Sequence, residues 1–168
     1  MEIRLAGEIP ESIVDGPGIR YTVFTQGCLH YCLGCHNPHT HDPHKGYLKE
    51  IDEIIKNIKK NPLIKGLTIS GGEPFMQIAE ILELTKKAKF IGLNVLIYTG
   101  YTYEDLLNKG DQRIKDIFMY ADYLIDGPFE INKKSYNLEF KGSSNQRLID
   151  LSLTIRTGKI VEKSFVYR

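Results

Sequence analysis

Three cysteines, Cys28, Cys32 and Cys35, stand together in the run GCLHYCLGCHNPHTHDPHKG, and the sequence contains no others. An odd set of thiols spaced this tightly makes a poor disulfide framework and a good metal site. Two metal chemistries fit. A [4Fe–4S] cube normally takes four thiolates, so three would leave one iron with an open position that a chelating small molecule could fill. Structural zinc is the rival, because Cys3His is a standard tetrahedral set and all five histidines, His30, His36, His39, His41 and His44, crowd the same run. The spacing by itself leaves both open.

A second candidate is SGGEPF, residues 70–75, directly after the apolar run GLTI. Glycines at the carboxyl end of a strand let the backbone approach a ligand closely, and Glu73 offers an anionic partner for an ammonium group. An ordinary turn between strand and helix has the same composition. The α-amino and carboxylate groups of S-adenosylmethionine could chelate the open iron of a three-thiolate cube and set its sulfonium beside the cluster. Elsewhere, DGPG at residues 15–18 would form either the lip of a site or a plain turn. YTGY at 98–101 and Asp126 end further strands on the same face, Arg147 would meet a partner or a carboxylate, and His39, His41 and His44 read as a solvated loop.

The elements that would carry these residues alternate. Apolar, β-branched and aromatic runs at Arg20–Thr25, 66–70, 94–99 and Tyr123–Asp126 read as strands, several without polar alternation, as buried parallel strands do. Ile51, Ile54, Ile55 and Ile58 recur at helical spacing, as do Ile78, Ile81, Leu82 and Leu84, with further helical turns at 103–107 and 114–120. Such alternation implies parallel βαβ units with right-handed crossovers. A complete eight-fold barrel takes about 250 residues. The expected fold is therefore α/β, a partial, open TIM-like βα barrel with its chemistry at the carboxyl ends of the strands.

The 168 residues suit one domain over 1–168, and 42% hydrophobic with 26% charged residues is the balance of a globular chain with a real core. A formal net charge of +1 advertises neither a nucleic-acid surface nor a membrane patch. The N-terminus lacks an apolar segment behind a basic start, and no stretch approaches the roughly 20 apolar residues that span a bilayer. A cytoplasmic location is expected, in keeping with the free thiols.

The motifs combine into a resemblance. SGGEPF downstream of CxxxCxxC is similar to the GGE motif with which radical S-adenosylmethionine enzymes bind the amino group of their cofactor. VDGPGIRYTVFTQGCLHYCLGCHNP, SGGEPF, YTGYTYEDL, ADYLIDGPFE and GSSNQRLID, spanning about residues 12 to 150, together resemble the activating proteins of anaerobic (class III) ribonucleoside-triphosphate reductases. The resemblance implies a radical S-adenosylmethionine oxidoreductase with Cys28, Cys32 and Cys35 as cluster ligands. Gly34, Cys35 and His36 would lie against the cofactor, and Ser70, Gly71, Gly72 and Glu73 would hold its methionyl end. Many members of the superfamily carry an aromatic residue where this chain has Gly34, so the adenine contact would fall to backbone near His36. The implied reaction is reductive cleavage of S-adenosylmethionine to methionine and a 5′-deoxyadenosyl radical, which takes an α-hydrogen from a glycine of the reductase large subunit. Reduced flavodoxin or a similar donor would supply the electron, and the assembly would be a homodimer or a heterotetramer with the reductase. Other readings are an activase of the pyruvate formate-lyase type, a small radical enzyme such as 7-carboxy-7-deazaguanine synthase, and a non-catalytic zinc or iron–sulfur module.

Overall fold

The computed structural model describes residues 1–165. In chain order its strands and helices are β1 (Glu2–Ser12), β2 (Arg20–Thr25), β3 (Tyr47–Glu50), α1 (Ile51–Lys59), β4 (Gly66–Gly71), α2 (Ile78–Phe90), β5 (Asn94–Tyr98), α3 (Tyr103–Asn108), α4 (Gln112–Tyr120), β6 (Tyr123–Asp126), β7 (Arg147–Asp150) and α5 (Leu151–Thr157). Short 3-10 turns occupy Pro38–Thr40, Pro74–Met76 and Ile131–Lys133. No helix among the described residues is long and apolar enough to cross a membrane.

The sheet has seven strands in the order β3-β1-β2-β4-β5-β6-β7. Its centre is parallel: Thr22 pairs with Thr68, Leu67 with Val95, and Ile97 with Leu124. These strands are apolar along both faces because both are covered, and Val23, Leu67, Ile69, Val95, Leu96, Ile97, Leu124 and Ile125 are all fully buried. The crossover helices show the matching stripe. In α1 the residues Ile51, Ile54, Ile55 and Ile58 face inward while Asp52 and Glu53 occupy the first turn and Lys56 and Lys59 the last, the charge order a helix dipole favours. Helix α3 is entered through a capping box between Thr102 and Asp105, and α5 is capped by Asp150 and stopped by Gly158 at φ 69°.

The α/β class and the parallel centre agree with the sequence reading. The flanks differ from an all-parallel arrangement. β1 runs antiparallel to both β2 and β3, and β7 is antiparallel to β6. β1 carries Gly7 and Pro10 and shifts register twice against β2, which hides it from any strand pattern. The parallel set has one decisive effect on function. Strands β2, β4, β5 and β6 all deliver their carboxyl ends to the same edge of the sheet, so the segments 26–46, 72–77, 99–102 and 127–146 gather there.

Candidate functional site

The cysteine run leaves β2 and is anchored at its base by backbone. Gln26 N–H donates to Arg4 O (3.0 Å), Gly27 N–H to Thr40 O (2.8 Å), and Cys28 N–H to His41 O (3.1 Å). Two amide side chains complete the base. Gln26 Nε2 donates to His39 O and Asp42 O at 3.1 and 2.7 Å, while Gln77 accepts from Arg4 N–H at 2.9 Å and donates to Arg4 O and Gln26 O. The run is thus a folded loop whose ends are tied to β1 and to the start of α2. Further out, Cys35 N–H donates to Cys32 O at 3.1 Å and Asn37 N–H to Cys35 Sγ at 3.4 Å.

The glycine turn after β4 is laid directly on this loop. Gly72 N–H donates to Thr25 O and Glu73 N–H to Gly27 O, both at 2.8 Å. The approach is so close that a Cβ on Gly72 would come within 2.3 Å of Gly27 O, and Gly71 takes φ +107°, where side chains are strained. Both features explain why the sequence has glycine at these positions.

Between the loop and the strand ends lies a cavity of about 600 Å³. Cys28, Cys32, Cys35, His36, Ser70, Gly71 and Gly72 all line it, so the structure brings seven of the sequence-predicted residues onto one surface. Asp15 and Val14 line it too, so of DGPG only Asp15 reaches the cavity; it is held there by the hydroxyls of Ser12 (2.5 Å) and Thr22 (3.2 Å). Tyr98 forms part of the wall, its hydroxyl donating to Phe140 O at 2.8 Å and its acidity suppressed by burial. The far wall is the segment 127–146, through Phe129, Leu138 and Phe140 among others. Burial also pushes the Cys28 thiol up, with Glu73 and the other two cysteines adding to the shift.

Two predicted residues stand outside the lining. Gly34, at φ +75°, has the Ile131 side chain against it, 2.5 Å from where a Cβ would be. Glu73 is fully buried beneath the cavity, where its carboxylate accepts from Phe75 N–H, the Thr99 hydroxyl, Gly100 N–H and His30 Nε2 at 2.7 to 3.0 Å. The histidine run is not uniformly solvated. His39 and His44 are exposed, but His41 is half-buried with its ring edge-on to Tyr31, and its buried Nε2 has no hydrogen-bond partner among the described residues. Asp126 and Arg147 pair with each other and do not themselves line the cavity, although their neighbours Gly127 and Gln146 do. Gln26, Gln77, Thr99 and the partner of His30 were not foreseeable from spacing, since each acts across strands; the segment 127–146 is marked in the sequence by its lack of period and its GSSNQ stretch.

Among the described residues, no group of three or more His, Cys, Asp or Glu converges as the ligands of a single ion would. A cube makes a different demand, since each of its thiolates binds a different iron. Three cysteines spread over one cavity wall, beside a glycine turn of close backbone approach, fit that donor set.

A family model described as a 4Fe-4S single cluster domain matches residues 14–149, which makes this chain a 4Fe-4S single cluster protein and decides between the two metal chemistries. Its relatives narrow the class. The anaerobic ribonucleoside-triphosphate reductase-activating protein of Enterobacteria phage T4 is 36% identical over 146 residues, covering 83% of this chain and 88% of the phage protein. The proteins of the same name from Vibrio cholerae and Escherichia coli are each 34% identical over 145 residues, covering 82% of this chain and 91% and 92% of theirs. The chain belongs to the family of anaerobic ribonucleoside-triphosphate reductase-activating proteins.

Proposed function

We propose that this protein installs a glycyl radical on the large subunit of an anaerobic ribonucleoside-triphosphate reductase. The observation that carries the reading is the shared cavity: three thiols and the Ser70–Gly71–Gly72 turn line one surface at the carboxyl ends of four parallel strands. In this reading residues 1–168 form one radical S-adenosylmethionine domain, a partial βα barrel made of β2, β4, β5 and β6 and left open at both edges of the sheet.

Cys28, Cys32 and Cys35 hold the cluster, and Ser70, Gly71, Gly72 and Glu73 hold the methionyl end of S-adenosylmethionine, with Gly34, Cys35 and His36 beside the cofactor. When bound and reduced, the cluster supplies the electron that cleaves S-adenosylmethionine to methionine and a 5′-deoxyadenosyl radical, which takes an α-hydrogen from a glycine. The remaining work belongs to the walls. Phe24, Phe129, Leu138 and Phe140 give the cavity an apolar lining that keeps water from a reactive intermediate. The lip at Val14 and Asp15 and the segment 127–146 frame an entrance suited to a backbone loop of another protein. Reduced flavodoxin is the electron donor in this reading, the location is cytoplasmic, and the protein works as a homodimer or as a heterotetramer with the reductase.

The test is anaerobic reconstitution. About four irons per chain are expected, with release of 5′-deoxyadenosine when dithionite and S-adenosylmethionine are added, and a glycyl doublet in the EPR spectrum of the reductase large subunit. Stoichiometric zinc without 5′-deoxyadenosine would overturn the enzyme assignment. A doublet on pyruvate formate-lyase alone would overturn the choice of partner.

A further inference from the structure

His30 lies between the first two cysteines, and its imidazole is held on three sides. Nε2 is 2.7 Å from Glu73 Oε2. The ring meets Tyr101 edge-on, with centroids 4.5 Å apart and planes at 69°. On the third side it rests on Gly100, where a Cβ would come within 2.5 Å of the His30 Cδ2 atom. The His30 side chain is 19% exposed and that of Glu73 1%, so this is an interior contact.

The other groups on the Glu73 carboxylate come from the strand ends. Oε1 accepts from Phe75 N–H at 3.0 Å, and Oε2 from Gly100 N–H at 2.9 Å. The Thr99 hydroxyl lies 2.9 and 3.0 Å from the two oxygens and so does not choose between them. His30 is the one donor of this set that belongs to the cysteine loop. A carboxylate has about four lone-pair sites, and these four donors, coming from both the strand ends and the cysteine loop, together fix the plane in which the carboxylate is held.

We infer that His30 is a positioning residue: it orients the Glu73 carboxylate and fastens the amino-group end of the S-adenosylmethionine site to the loop that holds the cluster. The inference rests on the proposed role of Glu73. Because His30 is covalently placed between Cys28 and Cys32, the carboxylate and the cluster ligands are held in one register. Gly100 is part of the same device, since any side chain there would expel the ring.

The experiment compares wild type, His30→Ala and His30→Gln as anaerobically reconstituted full-length protein. Iron content and the EPR signal of the reduced cluster are measured first, then the affinity for S-adenosylmethionine from its perturbation of that signal. His30→Ala should keep about four irons per chain and bind S-adenosylmethionine about tenfold more weakly, the loss expected for one hydrogen bond to a buried charge. His30→Gln, which restores an N–H donor, should recover most of the affinity. In a Glu73→Gln background His30→Ala should add little further loss, since the two residues act through one contact. An affinity within twofold of wild type in His30→Ala, or additive losses in the double variant, would overturn the inference. So would equal loss of iron in His30→Ala and His30→Gln, which would make the histidine a shaper of the loop alone. Wild type that carries a full cluster and binds no S-adenosylmethionine would remove the functional reading itself, and is seen before any variant is made.

Discussion

Arg147 and Asp126 face each other across the antiparallel pair β6–β7, with Nε donating to Oδ1 at 3.0 Å, and the carboxylate is 1% exposed. The same guanidinium reaches exposed Glu104 at 2.7 Å, while Asp126 also accepts Tyr103 N–H at 2.7 Å. The pair therefore joins the last two strands to the start of α3. These hydrogen bonds hold the Arg147 guanidinium above its ordinary basicity. Arg147→Ala leaves a buried carboxylate with a single backbone donor and should lower stability by about 2–3 kcal/mol. Glu104→Gln breaks the exposed arm alone and should cost less than about 1 kcal/mol. Urea unfolding of the two variants measures both, and equal effects would show that burial of Asp126 does not govern the pair.

Gly72 and Gly7 form a natural control for the packing of the glycine turn. A Cβ at Gly72 would meet Gly27 O at 2.3 Å, and that oxygen is already bonded to Glu73 N–H, so the backbone cannot yield without loosening the cysteine loop. At Gly7, in β1, a Cβ would have nothing among the described residues within 4 Å. Gly72→Ala should destabilise by about 1–3 kcal/mol, as overpacking does, and lower the iron retained after reconstitution. Gly7→Ala should stay within about 0.5 kcal/mol of wild type with full iron. Thermal unfolding and iron analysis on both variants check the contrast.

The central strands were legible in the sequence because burial on both faces leaves an uninterrupted apolar run, as in RYTVFT and GLTISG. Strand β3 was not, since YLKE is mostly exposed and exists by pairing with β1. β7 has four residues and α5 buries little beyond Leu151 and Thr154, too little pattern to register a period. In the site, the cysteines and SGGE were legible because their chemistry resides in local spacing. The contact of Gln77 with Gln26 spans 51 residues and that of Thr99 with Glu73 spans 26, and no local pattern encodes which strands become neighbours.

A half-buried carboxylate makes stability depend on pH. Glu8 on β1 accepts from Tyr21 OH (2.7 Å), Tyr47 OH (2.9 Å) and Lys49 Nζ (2.7 Å), knitting β1 to β2 and β3. Burial raises its pKa, but the bonds from Lys49 and the two tyrosines outweigh it and leave the net value below the ordinary 4.5. A depressed carboxylate contributes stability above 4.5 that is lost as pH falls through the lower folded value. Tyr47 has the opposite sign: burial, then the bond to Glu8, pushes it up to about 12 from 10, so its contribution is complete below 10 and disappears as pH rises through about 12. Wild type should therefore exceed Glu8→Gln in stability across the neutral range, and the gap should close below pH 4.5 and again toward 12. Denaturant titrations at stepped pH measure the gap, and a constant offset would contradict the linkage.

The three cysteines should differ in reactivity when the metal is removed. Cys28 is 8% exposed, its thiol is pushed up by burial, and its N–H is pinned to His41 O. Cys32 and Cys35 are half-exposed on the cavity wall. The thiolate is the nucleophile, so access and acidity both act against Cys28. Limited alkylation of iron-free protein with iodoacetamide at neutral pH, read by peptide mass spectrometry, should label Cys32 and Cys35 well before Cys28. In strong denaturant the three should react at similar rates, because the difference is produced by the fold. Loading iron and sulfide before alkylation should protect all three together if they ligate one cluster. Protection of two, with the third freely labelled, would contradict a three-thiolate site.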